Sequence, residues 1–505
     1  MPISYETLKQ LKSGTDIRGV AMDGVPGQTV DLTDEAVSMI ATGFASWLET
    51  RTGKGRPVIA VGRDSRLSGP RIRDTLVEAL ISCGAEVLDC GLASTPAMFM
   101  TTIDLGCDGA VEITASHHPP NRNGLKFFTR DGGLDGGDIE GVLTAAAAPA
   151  APKTRGECVA SNYMERYAAR LRGLICDGVD APDHDRPLDG FRIVVDAGNG
   201  VGGFYATDVL AKLGADISGS QFLNPDGSFP NHAPNPEDKS AMASICHAVT
   251  ASKADLGVIF DTDVDRAGCV GPSGREMGRN RLIAVASSIA LEGNPGGTVV
   301  TDSITSSGLK EFIERTLGGK HNRYKRGYRN VINEAVRLNA GGVNCPLAIE
   351  TSGHAAMREN YILDDGAYLA TKIIIKAALM RLDGMMLEDL IADLSEPVES
   401  DEVRLNITGT DFRKIGEATL ADLEAYALKM GWAVADDSRE GVRISFGKDG
   451  GDGWMLLRLS VHDPVMPLNL ESDTAGGNVV MAHALLGFLR GRGGLDLAAL
   501  EHFAM

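Results

Sequence analysis

The sequence has few of the features that mark secreted or membrane proteins. Its eight cysteines are scattered through 505 residues, with no C-x-x-C pair and no zinc-ligand spacing. Scattered thiols in a long chain are typical of a reducing compartment. The first residues contain no apolar stretch like that of a secretion signal, and the most apolar helix candidate, 367–380, is too short to span a bilayer. These absences predict a cytoplasmic protein with no membrane span.

Positive charge is also scarce. Lys and Arg together number 49 against 68 Asp and Glu, which gives a formal net charge of −19. Proteins that bind nucleic acid or anionic membranes rarely carry that balance, so we expect neither partner. An anionic substrate would therefore need local basic groups that work against the overall field of the protein.

One pattern recurs along the chain. A short apolar run rich in Val and Ile ends in a polar loop rich in Gly or Asp, and an amphipathic helical pattern follows. Runs without alternation predict strands buried on both faces, as in parallel sheets covered by helices. Ligands bind beyond the carboxyl ends of such strands, so we expect these loops to build one shared active site. The runs lie at 57–61, 109–113, 191–195, 256–260, 299–300 and 347–349.

The length allows three to four domains at roughly 150 residues each. The last segment has a different hydrophobic pattern: polar and apolar residues alternate on either side of a helix candidate at 412–430. We therefore predict three similar mixed α/β domains with helices covering the sheets, and a smaller C-terminal α+β domain with an antiparallel sheet, arranged around one central cleft. The predicted domains are 1–155, 156–272, 273–396 and 397–505.

An acidic loop follows the run at 256–260. Asp261, Asp263 and Asp265 stand at alternate positions, so their carboxylates can converge on one hard cation. Mg²⁺ prefers such oxygen ligands. The alternative is a solvated acidic turn, but Arg266 directly after the loop favours phosphate chemistry beside the metal.

A second polar loop follows the run at 109–113. It reads T-A-S-H-H-P-P over 114–120 and places Ser116 where it can face a cleft. Acyl transfer by a serine nucleophile is one interpretation, although there is no G-x-S-x-G elbow and two prolines follow instead of a helix. A turn of small and polar residues is the other.

Taken together, five motifs resemble those of the α-D-phosphohexomutase superfamily, which contains the phosphoglucomutases and phosphomannomutases. Order and spacing agree across nearly the whole chain, which makes the set far more specific than any single motif. The metal loop departs from the usual D-G-D-x-D-R because Thr262 replaces glycine. The motifs are G-T-D-I-R-G at 14–19, G-R-D-S-R at 62–66, the serine loop continuing to N-G-L-K at 123–126, D-T-D-V-D-R at 261–266 and E-T-S-G-H at 350–354.

The resemblance implies a role for each matching residue. Ser116 would carry a phosphoryl group, Lys126 would move a proton to or from the attacking hydroxyl, and Arg266 would neutralise the transferring group. His117 would support the serine loop. Asp261, Asp263 and Asp265 would hold Mg²⁺ with the Ser116 phosphate. Sugar and phosphate binding would fall to Arg18, Lys325, Glu350, Ser352, His354, Arg458, Ser460 and His462.

Three of these assignments keep an alternative. The segment 458–464 resembles the family's phosphate loop and is called the phosphate loop below. It reads R-L-S-V-H-D-P where the family commonly has R-x-S-G-T-E-P. Arg458 and Ser460 are kept, and His462 would stand in for threonine. The basic segment at 320–329, which includes Lys325, is either the positive field that a sugar phosphate needs or a solvated loop. Arg18 either adds to a phosphate site or forms a structural pair with an aspartate.

The implied function is a Mg²⁺-dependent phosphohexomutase acting on a small-molecule sugar phosphate. It would interconvert hexose 1-phosphate and hexose 6-phosphate, of glucose, mannose or both, through a phosphoserine and a hexose 1,6-bisphosphate that also serves as activator. Alternatives are a phosphoglucosamine mutase and a non-catalytic paralogue that binds sugar phosphates. A phosphatase of the haloacid-dehalogenase type would place its D-x-D motif after the first strand, not in mid-chain after a serine loop. A monomer or a dimer is expected.

Overall fold

The computed structural model describes residues 3–148, 153–460 and 463–505. The chain divides into two compact units. The first consists of the chain up to Ile289 together with Ser352–Leu390, and the second of Ala290–Thr351 together with Ile391–Met505. Each unit contains its own sheets and hydrophobic core.

The first unit begins with a mixed α/β layer. Its elements are α1 (Tyr5–Lys9), β1 (Lys12–Ser13), β2 (Asp16–Val20), α2 (Asp34–Thr52), β3 (Val58–Arg63), α3 (Gly69–Ser82), β4 (Glu86–Leu92), α4 (Thr95–Asp104), β5 (Gly109–Ile113), β6 (Arg122–Thr129), β7 (Gly132–Gly133), α5 (Gly136–Ala146), β8 (Cys158–Ala160) and α6 (Tyr163–Val179).

These eight strands form one sheet in the order β1-β2-β6-β5-β3-β4-β8, with β7 paired to β6. β3 runs parallel to both β4 and β5, whereas β6 is antiparallel to β5. Every residue of β5 is buried, as its unalternating sequence predicts. The apolar faces of α2, α3 and α5 pack with the strands in one core. The serine loop therefore begins at the end of β5, a strand that is paired on both edges, with β3 and with β6.

A second, smaller sheet carries the metal loop. Its elements are β9 (Ile193–Asp196), a π-helical segment (Tyr205–Leu210) with a 3-10 turn (Ala211–Leu213), α7 (Lys239–Ser252), β10 (Leu256–Phe260), β11 (Ala267–Val270) and β12 (Glu276–Met277). β9 and β10 are parallel, and β11 returns antiparallel to β10. The acidic loop is thus the connection between β10 and β11, at the carboxyl end of a buried strand.

After α8 (Asn280–Glu292), the second unit opens with three parallel strands. They lie in the order β14-β13-β15 and alternate with helices. The elements are β13 (Thr298–Thr301), α9 (Ser307–Glu311) with a π-helical continuation (Phe312–Thr316), β14 (Lys320–Arg323), α10 (Tyr328–Ala340) and β15 (Leu347–Ile349).

The chain then returns to the first unit before its last sheet. That return comprises β16 (Ala355–Met357), a 3-10 turn (Arg358–Asn360), β17 (Leu363–Asp364) and α11 (Gly366–Leu382), followed by a 3-10 segment (Leu387–Ile391). β16 and β17 form an antiparallel pair. α11 packs on α6, and the hydroxyl of Tyr167 on α6 donates to Asp365 at 2.7 Å.

The last part of the second unit is an antiparallel sheet in the order β19-β20-β21-β22-β18-β23. Its alternating strands put apolar side chains on one face against α12, α13 and α14, which confirms the predicted α+β domain. The elements are β18 (Glu399–Ile407), α12 (Phe412–Lys429), β19 (Ala433–Val434), β20 (Val442–Phe446), a 3-10 turn (Lys448–Gly450), β21 (Gly453–Leu457), β22 (Val465–Ser472), α13 (Gly477–Leu489), β23 (Leu495–Asp496) and α14 (Ala498–Phe503).

This core predicts a stability difference that can be measured. Leu468 on β22 is fully buried, so Leu468→Ala should cost about 2–5 kcal/mol through lost transfer energy and the cavity left behind. Leu428 on α12 is 64% exposed, and Leu428→Ala should change stability by less than about 0.5 kcal/mol. Calorimetric unfolding of both variants tests the assignment, and equal effects would contradict it.

Candidate active site

The serine loop is strained where it presents its hydroxyl. Ser116 has a φ of 48°, a left-handed conformation that a residue other than glycine adopts at a cost of about 1–3 kcal/mol. Its backbone N–H donates to the hydroxyl of Thr114 at 2.9 Å. Its own hydroxyl donates to Asp261 at 2.9 Å and receives a hydrogen bond from Arg266 at 2.8 Å. The strain is thus held by contacts that aim the hydroxyl at the metal loop.

Arg66 holds the rest of that loop in place. Its guanidinium is completely buried and lies 3.3 Å from Asp64. It donates hydrogen bonds to four backbone carbonyls of the loop, which belong to Ser116, His118, Pro119 and Arg122. Because one rigid fork satisfies so many carbonyls, this side chain shapes the loop more than any of the loop's own residues.

The three aspartates of the metal loop converge as the sequence predicts. One carboxylate oxygen from each of Asp261, Asp263 and Asp265 lies within 4.8 Å of the others, and all three residues are fully buried. Thr262 does not need glycine's freedom, because the left-handed residue of this loop is Val264, with a φ of 65°. The departure from the family motif therefore falls at a position without backbone strain.

Two cations balance this acidic cluster. The Lys126 ammonium lies 2.8 Å from Asp263 and also contacts Asp265. The Nε of Arg266 donates to Asp261 at 3.0 Å. Burial opposes the charge on Lys126, but Asp263 and Asp265 outweigh it and raise the pKa of the ammonium well above its ordinary value. Burial, and next the charges of Asp265 and Asp263, raises the pKa of Asp261 well above its ordinary value, so the two cations do not fully offset the crowding of the carboxylates.

The donor set fits a hard divalent cation. Asp263 Oδ1 and Asp265 Oδ1 are buried and have no hydrogen-bond partner within residues 3–148, 153–460 and 463–505. A buried acceptor left without a donor costs free energy comparable to a lost hydrogen bond. A cation that binds oxygen ligands removes that cost and reduces the repulsion among the carboxylates. The cluster is therefore a possible acidic metal site.

Two histidines border the cluster, and their pKa values are shifted in opposite directions. His117 Nδ1 lies 3.3 Å from the Ser116 hydroxyl and also contacts Arg266. Burial, and next the charge of Arg266, lowers the pKa of His117 to about 2, so the imidazole is neutral. His354 lies 3.3 Å from Asp364. Burial opposes its charge, yet Asp265 and Asp364 raise the pKa of His354 above its usual range.

Two further predicted residues of the first unit have ordinary surroundings. Arg18 forms an ion pair with Asp16 at 2.7 Å, the structural alternative that its sequence context allowed. Ser352, two residues before His354, is nearly buried at 9% exposure. Their roles toward a substrate stay predictions.

Two predicted residues of the second unit, Lys325 and Glu350, follow the parallel strands β14 and β15. Glu350 directly follows β15, and its carboxylate accepts the backbone N–H of Gly327 at 2.6 Å. Lys325 is exposed. Arg323, two residues earlier, has a structural role instead, because its side chain is buried and donates a hydrogen bond to Asp437 at 3.1 Å. The basic segment at 320–329 is therefore only partly a solvated surface.

The altered phosphate loop follows β21. Arg458 is 9% exposed, and its Nε is buried without a hydrogen-bond partner in the described part of the chain. The nearest carboxylate, Glu440, lies 3.9 Å from it, beyond hydrogen-bond distance. The Ser460 hydroxyl accepts the N–H of Asp463 at 3.2 Å. His462 lies outside the described residues.

Sequence reasoning missed three residues that organise these loops. Arg66 stands inside a quoted motif, so its position after a buried strand was the available signal. Thr95 begins α4 and donates its hydroxyl to Asp263 at 2.5 Å, but only the S-T-P start of a helix is visible in the sequence. Glu440 has no local signature, because its partners lie more than a hundred residues away.

Comparison with known proteins places this site in a family. Models described as phosphoglucomutase/phosphomannomutase, alpha/beta/alpha domains I, II and III, match residues 9–148, 165–274 and 278–398. The chain belongs to the phosphoglucomutase/phosphomannomutase family. This confirms the predicted α-D-phosphohexomutase superfamily, the three α/β domains with a further C-terminal sheet domain, and a phosphohexomutase as the class of enzyme.

Individual relatives agree over nearly the full length. A phosphomannomutase/phosphoglucomutase of Pseudomonas aeruginosa is 29% identical over 461 residues, 91% of each chain. A phosphoglucomutase/phosphomannomutase of Thermococcus kodakarensis is 30% identical over 463 residues, 91% of this chain and 93% of the relative. The crystal structure of a family protein from Burkholderia thailandensis is 26% identical with a TM-score of 0.78, covering 97% of this chain and 98% of that one.

One alternative enzyme class is excluded, and several sequence predictions stay untested. A phosphatase of the haloacid-dehalogenase type is set aside, because the family models cover most of the chain. Within the described ranges, none of the helices combines the length and the apolar character needed to cross a membrane. The three predicted domain boundaries and the single central cleft stay predictions.

Arg66 provides the first test of this site. Lysine cannot reproduce the guanidinium fork, so Arg66→Lys should free carbonyls of the serine loop and lower kcat/KM by at least about tenfold, or roughly 1.4 kcal/mol. Hydrogen exchange of the amides at 115–122 should accelerate in parallel. Arg56→Lys is the matched control, since Arg56 is 53% exposed and pairs only with surface groups. An unchanged loop and turnover within twofold would contradict this role.

Proposed function

We propose that this protein is a Mg²⁺-dependent phosphohexomutase that interconverts the 1-phosphate and 6-phosphate of glucose, mannose or both. The observation that carries the proposal is the buried cluster in which the Ser116 hydroxyl contacts Asp261 and Arg266. The names of the full-length relatives support the choice of glucose and mannose.

The reaction needs a phosphoryl carrier and a proton carrier. In the active form Ser116 Oγ would bear the phosphoryl group. A sugar hydroxyl attacks the phosphorus and the P–Oγ bond breaks. The proton lost by the sugar hydroxyl balances the proton gained by the departing Ser116 oxygen, and Lys126 would carry it between them, donating as an ammonium and accepting as a neutral amine. The product of this first transfer is a hexose 1,6-bisphosphate, and return of its other phosphoryl group to Ser116 completes the isomerisation. Free hexose 1,6-bisphosphate would phosphorylate Ser116 in the same way and so act as activator.

Positioning and charge account for most of the catalysis in phosphoryl transfer. Arg266 is fixed by Asp261 through its Nε and donates from one terminal nitrogen to the Ser116 hydroxyl, so its charge is already in place where negative charge moves. Asp261, Asp263 and Asp265 would hold Mg²⁺, which supplies charge neutralisation to the phosphoryl oxygens when bound. His117, neutral and in contact with Arg266, would keep that guanidinium aligned.

Substrate binding is assigned by the same reasoning. Glu350, Ser352 and His354 would bind sugar hydroxyls, and Arg18 and Lys325 would contribute positive charge. Arg458 is supported by its own geometry, because a nearly buried guanidinium with an unpartnered Nε is suited to receive an anion. Ser460 and His462 would add neutral hydrogen bonds beside it.

Ser116 tests the covalent step. Ser116→Ala removes the phosphoryl carrier, so turnover should fall by at least roughly a hundredfold while the fold is retained. A panel of glucose, mannose and glucosamine 1-phosphates, each with its hexose bisphosphate, shows which 6-phosphate forms. Peptide mass spectrometry should find phosphate on Ser116 of the parent protein. Full activity of the variant would contradict the proposal, and preferential turnover of glucosamine 1-phosphate would favour a phosphoglucosamine mutase.

The metal site has a separate test. A chelator should abolish turnover, and added Mg²⁺ should restore it. Asp263→Asn removes one charge from the cluster and should weaken Mg²⁺ binding about ten- to a hundredfold in calorimetry, independent of activity. Asp131→Asn is the control, because this carboxylate is 77% exposed and lies in the turn between β6 and β7. Turnover that is insensitive to chelator would exclude the metal from the reaction.

A further inference from the structure

Glu440 connects three segments of the second unit that are far apart in sequence. It lies in the loop between β19 and β20 and is mostly buried, with 14% of its side chain exposed. One carboxylate oxygen, Oε2, accepts hydrogen bonds from the Ser303 hydroxyl at 2.7 Å and from the backbone N–H of Arg326 at 3.0 Å. The other, Oε1, lies 3.9 Å from Arg458. A single carboxylate therefore touches the loop after β13 and the basic segment, and faces the phosphate loop.

The backbone beside Glu440 is built for this close approach. Gly441 has a φ of 64°, and a Cβ there would lie 2.2 Å from the carbonyl oxygen of Leu457 and 2.8 Å from the Cα of Arg458. Only glycine lets the two loops lie this close. Arg443, two residues further on, donates to the carbonyl of Ser303 at 3.1 Å. Ser303 is thus held through both its side chain and its backbone by residues 440–443.

The guanidinium opposite Glu440 is only partly satisfied. Arg458 is nearly buried, and its Nε has no hydrogen-bond partner among the described residues. At 3.9 Å the Glu440 carboxylate supplies an opposite charge without occupying the donors. Burying an uncompensated charge is strongly unfavourable, so this counter-charge makes the open guanidinium tolerable before an anion arrives.

The same negative charge opposes the anion that the guanidinium is suited to hold. A sugar phosphate bound at Arg458 brings a second negative charge within a few ångströms of Glu440, and like charges at that range repel. A mutase benefits from such a balance, because the bisphosphate must be held during one transfer and released before the next. This inference rests on the proposed function. Under it, the Glu440 carboxylate has two roles: it positions the loops around Arg458, and its negative charge weakens the binding of the phosphate.

We propose that Glu440 is a positioning residue of the phosphate site: it holds the basic segment, through the Arg326 amide, beside Arg458, and its charge limits how strongly Arg458 binds an anion. Two substitutions separate the positioning role from the effect of the charge. Glu440→Gln keeps an acceptor for Ser303 and Arg326 but removes the charge. Glu440→Ala removes both.

The two variants should move in opposite directions. Glu440→Gln should bind glucose 1-phosphate about tenfold more tightly in calorimetry, lower KM to a similar extent and lower kcat, because release slows when the repulsion is gone. Glu440→Ala should bind about tenfold more weakly and raise KM, because the basic segment is no longer held beside Arg458. Asp436→Asn is the matched control, an exposed carboxylate in the same loop, and should stay within about twofold of the parent.

The outcomes distinguish this inference from the function on which it rests. Equal effects of Gln and Ala, or both within twofold of the parent, would overturn the role of Glu440. Absence of turnover on every hexose phosphate would overturn the proposed function, while calorimetry with inorganic phosphate would still compare the variants. Failure of the parent protein to bind phosphate at all would overturn both.

Discussion

The balance of buried charge at Asp261, Asp263 and Asp265 is the constraint on which the rest of the first unit depends. Three carboxylates enclosed within 4.8 Å would repel one another strongly without compensation. Two of the opposing charges come from Lys126, on β6, and from Arg266, at the end of the acidic loop itself. The β5–β6 pair and the β10–β11 connection are therefore coupled through ion pairs, not only through apolar packing.

That coupling explains why strained backbone is found at this point. Ser116 and Val264 both lie in the left-handed region, at φ values of 48° and 65°. Strain of this kind persists only where the surroundings over-determine it. Arg66 fixes the serine loop through four carbonyls, and the ion pairs fix the acidic loop. The hydroxyl is consequently placed before any substrate binds, so the arrangement need not form during the reaction.

Much of this could be predicted from the sequence because the signals are local. Strands β5, β10 and β15 were predicted at the bounds that the structure shows, since each is an unbroken apolar run ended by a polar loop. The convergence of the aspartates was also predictable, because alternate positions in one short loop share a direction. The roles assigned to these side chains rest on the family resemblance and stay proposals.

The roles of Arg66 and Glu440 could not be predicted from the sequence, because their signals are not local. The groups to which they hydrogen-bond in these loops lie 50 or more residues away, so no spacing rule connects them. They also share a physical function, because each uses one charged side chain to hold a loop through groups that carry no motif. In the altered phosphate loop, where glycine, threonine and glutamate of the family pattern are replaced, loop sequence no longer specifies the shape alone. The shape then depends on the contacts that surround the loop, and the approach of Gly441 to Arg458 with Glu440 beside it is such a contact. Contacts from outside the loop can therefore hold the backbone at Arg458 even though the sequence that follows departs from the family pattern.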